Sequence, residues 1–454
     1  MFHIRWDGKT FTVNNTAPYM VGGEQIPWIK PEESTRYLGK MFGPWKGMTV
    51  PNLKRQIDDW ASNVAAAPLK PFQALEIWRG TILPRVKARI LHSRPSMTML
   101  KDLDVQIRGH IKRLLHLPEA VTNALMYTKT KHGGLGITCL SDAVPDLTIK
   151  GLHKLCWQTP SLTIRRLARS LGVRKTLEDM CVKYPEWKPV PPSQKSSTTP
   201  TGIDDSDETS RGNGNSSVPK EKWCRYWANQ GTQGTGTDTW MRFRESNSWI
   251  RAGTYTEGEA ISALLLRTNC VPTRECTSRY TNMKNVQCRR CGTTVETTGH
   301  ISGWCPSVKR SRILRHDSLC KILSNKAVKA GWTPHWEPVF DGPNGKLKPD
   351  LVFVKNEQAV IVDPTVIWEK DSKSLDDAAT GKEDKYSCIQ DQVKDRFEIS
   401  EVQVFGLPVG ARGGWTQRND RVLKALGLSR DTITALTTRA LGGTIMLMRL
   451  FFDD

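Results

Sequence analysis

Hydrophobic positions change their period along this chain, and each change marks a different kind of element. Short strand-like runs, FHIRW and FTVNN, come first, and beyond RYLGKMFGPW the spacing turns helical. Leu53, Ile57, Trp60 and Val64 recur one helical turn apart, as do Leu103, Ile107, Ile111 and Leu114, so both sets predict core stripes of a helical domain. Over residues 188–220 the large apolar residues almost vanish (KPVPPSQKSSTTPTGIDDSDETSRGNGNSSVPK). Such a segment buries too little surface to order itself and is expected to be a flexible linker. Order is expected again from KWCRYW, and TEGEAISALLLRTNCVPTR predicts a helix capped by Thr256, with Glu259 at the capping-box position and Pro272 past its end.

In KPDLVFVKNEQAVIVDPTVIWEK (348–370) the pattern becomes that of strands, because LVFV and AVIV are β-branched apolar runs of strand length. If Asn356 and Glu357 form a two-residue turn, antiparallel pairing puts Asp350 opposite Asp363 on one face, with Cβ atoms about 5 Å apart. Carboxylates that close repel unless a cation lies between them. The pair reads either as strand-end caps or as a Mg2+ site, since that ion takes a few carboxylate oxygens and keeps places for water and phosphate. Glu369 is a further candidate ligand. The next segment, SKSLDDAATGKEDKYSCIQDQVKDRF, predicts a helix with Leu375, Ala378 or Ala379, Ile389 and Phe397 turned inward. Lys382, Lys385 and Tyr386 share one face of it. Packed on the hairpin, a lysine of that face could orient an attacking water or offset charge on a phosphate in its transition state.

A second chemical pattern is CRRCGTTVETTGHISGWC, in which Cys288, Cys291, His300 and Cys305 follow the spacing Cys-x2-Cys-x8-His-x4-Cys. The first turn brings two thiolates together, and the later His and Cys complete a tetrahedral Zn2+ shell, structural because no position stays open. The flanks are basic, with Lys284, Arg289, Arg290, Lys309, Arg310, Arg312 and Arg315 against Glu296, a composition suited to phosphates and unpaired bases.

Charge extends this picture to the whole chain. Across 454 residues, 66 Lys and Arg stand against 46 Asp and Glu, a formal charge of +20 that favours a polyanionic partner, nucleic acid before membrane. No apolar run approaches a membrane span of roughly 18 residues, and the N-terminus lacks a signal-peptide core, so no membrane partner is expected. The eleven scattered Cys suggest reduced thiols and metal ligands, hence an intracellular setting, and the positive charge points towards the nucleus. In the helical region Arg79, Arg85, Lys87, Arg89, Lys112 and Arg113 form either a solvated face or a groove that follows a nucleic-acid backbone. KHGGLGI (131–137) reads as a glycine-rich turn without the spacing of a phosphate loop.

Taken in order, RYLG and HGGLGI, LRTNCVPTR, the four Cys/His residues around ETTGHI, RILRHD, KPDL, VDPTVIWE and the run Ala378-x3-Lys382-x2-Lys385-Tyr386 resemble the C-terminal half of the polyprotein of site-specific non-LTR retrotransposons of the R2 class. The resemblance covers nearly the whole chain. It implies a multidomain α+β protein: a reverse transcriptase C-terminal remnant and thumb-like helices (1–187), the linker (188–220), a helical linker domain (221–283), a CCHC zinc knuckle (284–325) and an α/β PD-(D/E)xK-type endonuclease with a mixed sheet (326–454). It implies Asp350 and Asp363 as metal ligands and Lys382 as the catalytic lysine, with Lys385 as a second candidate and Tyr386 in support. Thr365 stands where a plain restriction-type motif has its lysine, so the lysine comes from the helix.

The resemblance further implies a Mg2+-dependent nick in target DNA, ribosomal RNA genes, that primes reverse transcription, with element RNA as second partner and no small-molecule substrate. The paired aspartates of a polymerase palm have no counterpart except FFDD at 451–454, read as coincidence; the chain is expected to begin after the palm and to make no DNA alone. The alternative is a noncatalytic DNA- and RNA-binding remnant.

Overall fold

In the computed structural model, residues 4–187 (apart from 7, 14–18, 31, 38, 39, 44–46, 49–51, 92 and 94) and residues 221–453 are described. The expected linker at 188–220 and half of RYLG lie outside them. The chain divides into two compact units, one from residues 1–114 and 138–210, the other from 115–137 and 211–454. The turn at 131–137 thus belongs to the C-terminal unit, although in sequence it follows the helical region.

The N-terminal unit carries the predicted stripes. Leu53 and Ile57 are fully buried on the helix start at Lys54–Ala66, and Leu103, Ile107 and Ile111 on Met97–Leu114. Trp60 and Val64 are only half-buried, and Ala61 takes the inward place. Lys112, counted above among the basic face, is instead buried. Arg85 and Arg113 remain exposed. Asp104 is buried here too, accepting from the backbone N–H of Leu140 (2.7 Å) and Ser141 (2.9 Å).

In the C-terminal unit we label helices α1 (Lys222–Ala228), α2 (Glu257–Arg267), α3 (Thr298–Gly303) and α4 (Lys309–Lys329), then strands β1 (Thr333–Trp336), β2 (Leu351–Lys355) and β3 (Gln358–Ile367). Helices α5 (Ser372–Ser387) and α6 (Gln390–Phe397), strand β4 (Glu401–Gly410) and helices α7 (Asp420–Leu426) and α8 (Asp431–Phe452) follow. Helix α2 starts as its sequence predicts: Thr256 N donates to Glu259 Oε2 (2.8 Å) and Glu259 N to Thr256 Oγ1 (3.4 Å). The phenylalanines of FFDD end α8, a helical position with no strand of a palm hairpin.

The four strands form one mixed sheet in the order β4-β3-β2-β1, with β3 and β4 parallel and the other pairs antiparallel. A parallel pair needs a crossover, and α5 and α6 supply it. Both faces are covered, so β3 is continuously buried from Ala359 to Pro364 instead of alternating. Leu351, Phe353, Val360 and Val362 pack on one side with Leu319 and Leu323 of α4 and with Ile433, Leu436 and Ala440 of α8. Val352, Ala359 and Ile361 pack on the other with Tyr386, Ile389 and Val393. At roughly 25 cal/mol per Å2 of apolar surface, these two layers are the main source of stability of this unit. The fold is thus mixed α/β around a mixed sheet.

Candidate functional site

The β2–β3 hairpin has the register its sequence predicts. Leu351 pairs with Val362 and Lys355 with Gln358, and Asn356 takes a left-handed φ of 52° at the first turn position. Carrying the ladder one step on puts Asp350 opposite Asp363. Asp350 lies just before β2, where its carbonyl still accepts Glu337 N (3.0 Å) and so continues the pairing with β1. Side chains alternate along a strand, so Asp363 shares the face of Ala359 and Ile361, the face that α5 covers.

Helix α5 is held at its start by Asp371, whose carboxylate accepts from Ser374 N (2.8 Å), and it buries Leu375, Ala379 and Tyr386 against the sheet. Of the two inward alternatives, Ala379 is the buried one. Lys382 lies between these anchors, and its Nζ stands 2.6 Å from Asp363 Oδ1. Asp363 is 1 % exposed, and its polar neighbours are this ammonium and the Tyr386 hydroxyl. Burial pushes the Asp363 carboxyl above its ordinary range and the facing Asp350 adds to the rise, while Lys382 opposes both. A buried carboxylate facing a second carboxylate suits a cation.

Of the other candidates, Lys385 and Tyr386 stay together beside the site and Glu369 lies elsewhere. Lys385 is exposed, with Nζ 3.0 Å from the Tyr386 hydroxyl, which in turn donates to Lys348 O (3.2 Å). Glu369 is not at this place at all. Six residues of mostly extended chain carry it up to about 20 Å beyond Asp363. There it is fully buried, accepts from Arg412 N (3.1 Å) and lies 3.8 Å from Arg412 Nε. Arg412 is stacked over Trp240 and Trp368, and Arg267 Nε donates to Arg412 O (2.6 Å). Glu369 is the charge partner of a buried guanidinium, and the expectation of a metal ligand is corrected accordingly.

One residue escaped the sequence reading. His316 of α4 lies across the strand ends, its Nε2 3.0 Å from both Asp350 Oδ2 and Pro364 O, and its Nδ1 3.2 Å from Asp317 Oδ1. Hydrogen bonding to Asp350 pushes the His316 pKa up to about 11. The one trace of it in sequence was the RILRHD stretch, which says nothing of where α4 docks.

The Cys/His spacing also closes as expected. The ligand atoms of Cys288, Cys291, His300 and Cys305 all lie within 4.8 Å of one another. Gly292 N donates to Cys288 O (2.9 Å) in the first turn, and α3, capped by Thr297, presents His300. His300 Nδ1 meets Thr294 Oγ1 at 2.9 Å, which leaves Nε2 towards Cys291 Sγ at 3.3 Å. Hydrogen bonding with Thr293 holds the Cys291 thiol down at about 6. This donor set could hold a metal ion such as zinc. The basic flank is partly structural: Arg289 is paired with buried Glu296 (2.7 Å), and Arg315 is buried against Ser302 and Thr444. Lys284, Lys309 and Arg310 are exposed.

Fold and sites define a mixed α/β protein with a Cys3His cluster and a carboxylate–lysine cluster at the strand ends. No family model matches the chain. It is 28% identical over 95% of its length to a Retrovirus-related Pol polyprotein from type-1 retrotransposable element R2 of Popillia japonica, spanning 84% of that protein. It is 26% identical over 92% to the type-2 retrotransposable element R2DM polyprotein of Drosophila melanogaster and 25% identical over 90% to an R2 polyprotein of Bradysia coprophila. The chain spans less than half of these two relatives, 37% and 44%. The chain is a homologue of the Pol polyproteins of R2-type non-LTR retrotransposable elements.

Proposed function

We propose that the C-terminal unit is a PD-(D/E)xK-type endonuclease that nicks target DNA for target-primed reverse transcription. The observation that carries this reading is the ammonium of Lys382 2.6 Å from Asp363, itself opposite Asp350. Asp350 and Asp363 would hold Mg2+, which when bound polarises the scissile phosphate and lowers the pKa of a coordinated water. Lys382 would position the attacking water and offset charge on the phosphate, Tyr386 would keep Lys385 at the rim, and His316 would fix the rotamer of Asp350. Cys288, Cys291, His300 and Cys305 would hold structural zinc, and the exposed cations near them would grip DNA and element RNA. Ribosomal RNA genes as target, a nuclear location and the five-part domain division are part of the same proposal.

The test is incubation of the purified chain with supercoiled plasmid and Mg2+. Nicking is expected and should be abolished in Asp350→Ala and Asp363→Ala; nicking that persists unchanged in both variants refutes this site. A noncatalytic nucleic-acid-binding remnant is the second reading, favoured by the charge of +20. It predicts binding without any nick.

A further inference from the structure

His132, Glu221 and Cys224 form another cluster in the C-terminal unit, separate from both sites above. One ligand atom from each lies within 4.8 Å of the others, and His132 Nε2 is 3.5 Å from Glu221 Oε1. Cys224 is fully buried and forms no disulfide. The decisive contact is on the other side of the ring: His132 Nδ1 is 2.6 Å from the carbonyl of Met241. A carbonyl only accepts, so the proton sits on Nδ1 and Nε2 is the atom turned to the carboxylate and the thiol. A backbone carbonyl bound to the far nitrogen is how proteins orient a ligating histidine.

The glycine-rich turn explains why His132 can be there. Gly133 follows it with φ +89°, and a Cβ on Gly134 would meet Thr128 O at 2.2 Å, so only glycine lets the chain fold back this tightly. Leu135 N then donates to Leu125 O (2.7 Å), and Asn247 Nδ2 to Lys131 O (2.9 Å). The turn is fixed from both sides before any ligand arrives.

We propose that His132 Nε2, the Glu221 carboxylate and the Cys224 thiolate bind a zinc ion, with the fourth position left to water or another ligand. Binding replaces the thiol proton, which passes to solvent. Lys129 Nζ, 2.9 Å from Glu221 Oε1, contends for the same carboxylate, so this ion is held less tightly than one in the Cys3His cluster. The metal ties the 131–137 turn to α1, joining segments distant in sequence, where a clip removes most chain entropy.

The full chain is loaded with zinc chloride, freed of unbound metal and submitted to elemental analysis. About two zinc per chain are expected, falling to about one in His132→Asn/Glu221→Gln. One zinc in the wild type, or two that persist in the double variant, overturns the proposal. Should the double variant lose its fold and bind none, cobalt(II) loading of Cys224→Ala decides. Thiolate-to-cobalt absorption should drop by about a quarter, from four thiolates to three; an undiminished absorption overturns the assignment.

Discussion

Gly406 stands opposite Asp363 across the parallel β3–β4 pair, and its missing side chain is what lets Lys382 reach that carboxylate. A Cβ at this position would lie 2.6 Å from Ala379 O and 2.9 Å from Lys382 Cβ. Helix α5 therefore rests on the strand backbone at the one point where the lysine leaves it.

Gly406→Ala should lift α5 and move the ammonium. Misplacement by about 1 Å costs on the order of 100-fold in rate, against about 1–3 kcal/mol in stability for overpacking. Nicking rate and thermal unfolding, measured together, check this. A variant that is destabilised yet nicks at the wild-type rate would count against Lys382.

Glu369→Ala should cost about 3–5 kcal/mol, because it leaves the buried Arg412 without its partner. The loss should be the same with and without Mg2+. Asp350→Ala, which relieves a like-charged pair but also takes away the partner of His316, should be milder because the two effects oppose each other. Urea denaturation of the three proteins separates a core ion pair from a metal ligand.

His316 makes stability depend on pH with a definite sign. Its pKa lies near 11 in the folded chain and near the ordinary 6.5 when unfolded, so its contribution is complete below pH 6.5 and is lost as pH rises towards 11. In chelator, unfolding free energy should decline across that window, and His316→Gln should flatten the decline. Equal slopes for both proteins would remove the His316–Asp350 pair from the account.

Cys291→Ser should release the metal of the Cys3His cluster and expose 284–310 to protease, since folding of so small a loop rests on its ligands. Limited proteolysis with and without chelator reads this directly. Wild-type protein whose cleavage pattern ignores the chelator speaks against a structural metal.

Binding to DNA should weaken steeply as salt rises, through counterion release, and Lys309→Ala/Arg310→Ala should lower the slope of log K against log salt by about 2. Fluorescence anisotropy across a salt series measures it. A flat series excludes the nuclease and the remnant alike.

How far the sequence reached depends on the distance over which each feature is determined. The hairpin register was legible because turn length and a side-chain period of two are local, and Asn356 is a residue that tolerates the left-handed backbone its turn needs. The Thr256–Glu259 cap and the Cys/His loop were legible for the same reason, each fixed within a few turns of chain. The face shared by Lys382, Lys385 and Tyr386 was legible too, but not which lysine meets the carboxylate.

That choice belongs to tertiary structure. Local sequence determined two carboxylates opposite each other, a helix with three polar candidates on one side and a metal-binding loop. Packing alone decided that Gly406 admits α5 at Lys382, that α4 carries His316 across 34 residues of sequence to Asp350, and that Glu369 goes to Arg412, 43 residues away. Such contacts are set by which apolar faces bury one another, and a buried charge takes the partner that this burial leaves beside it.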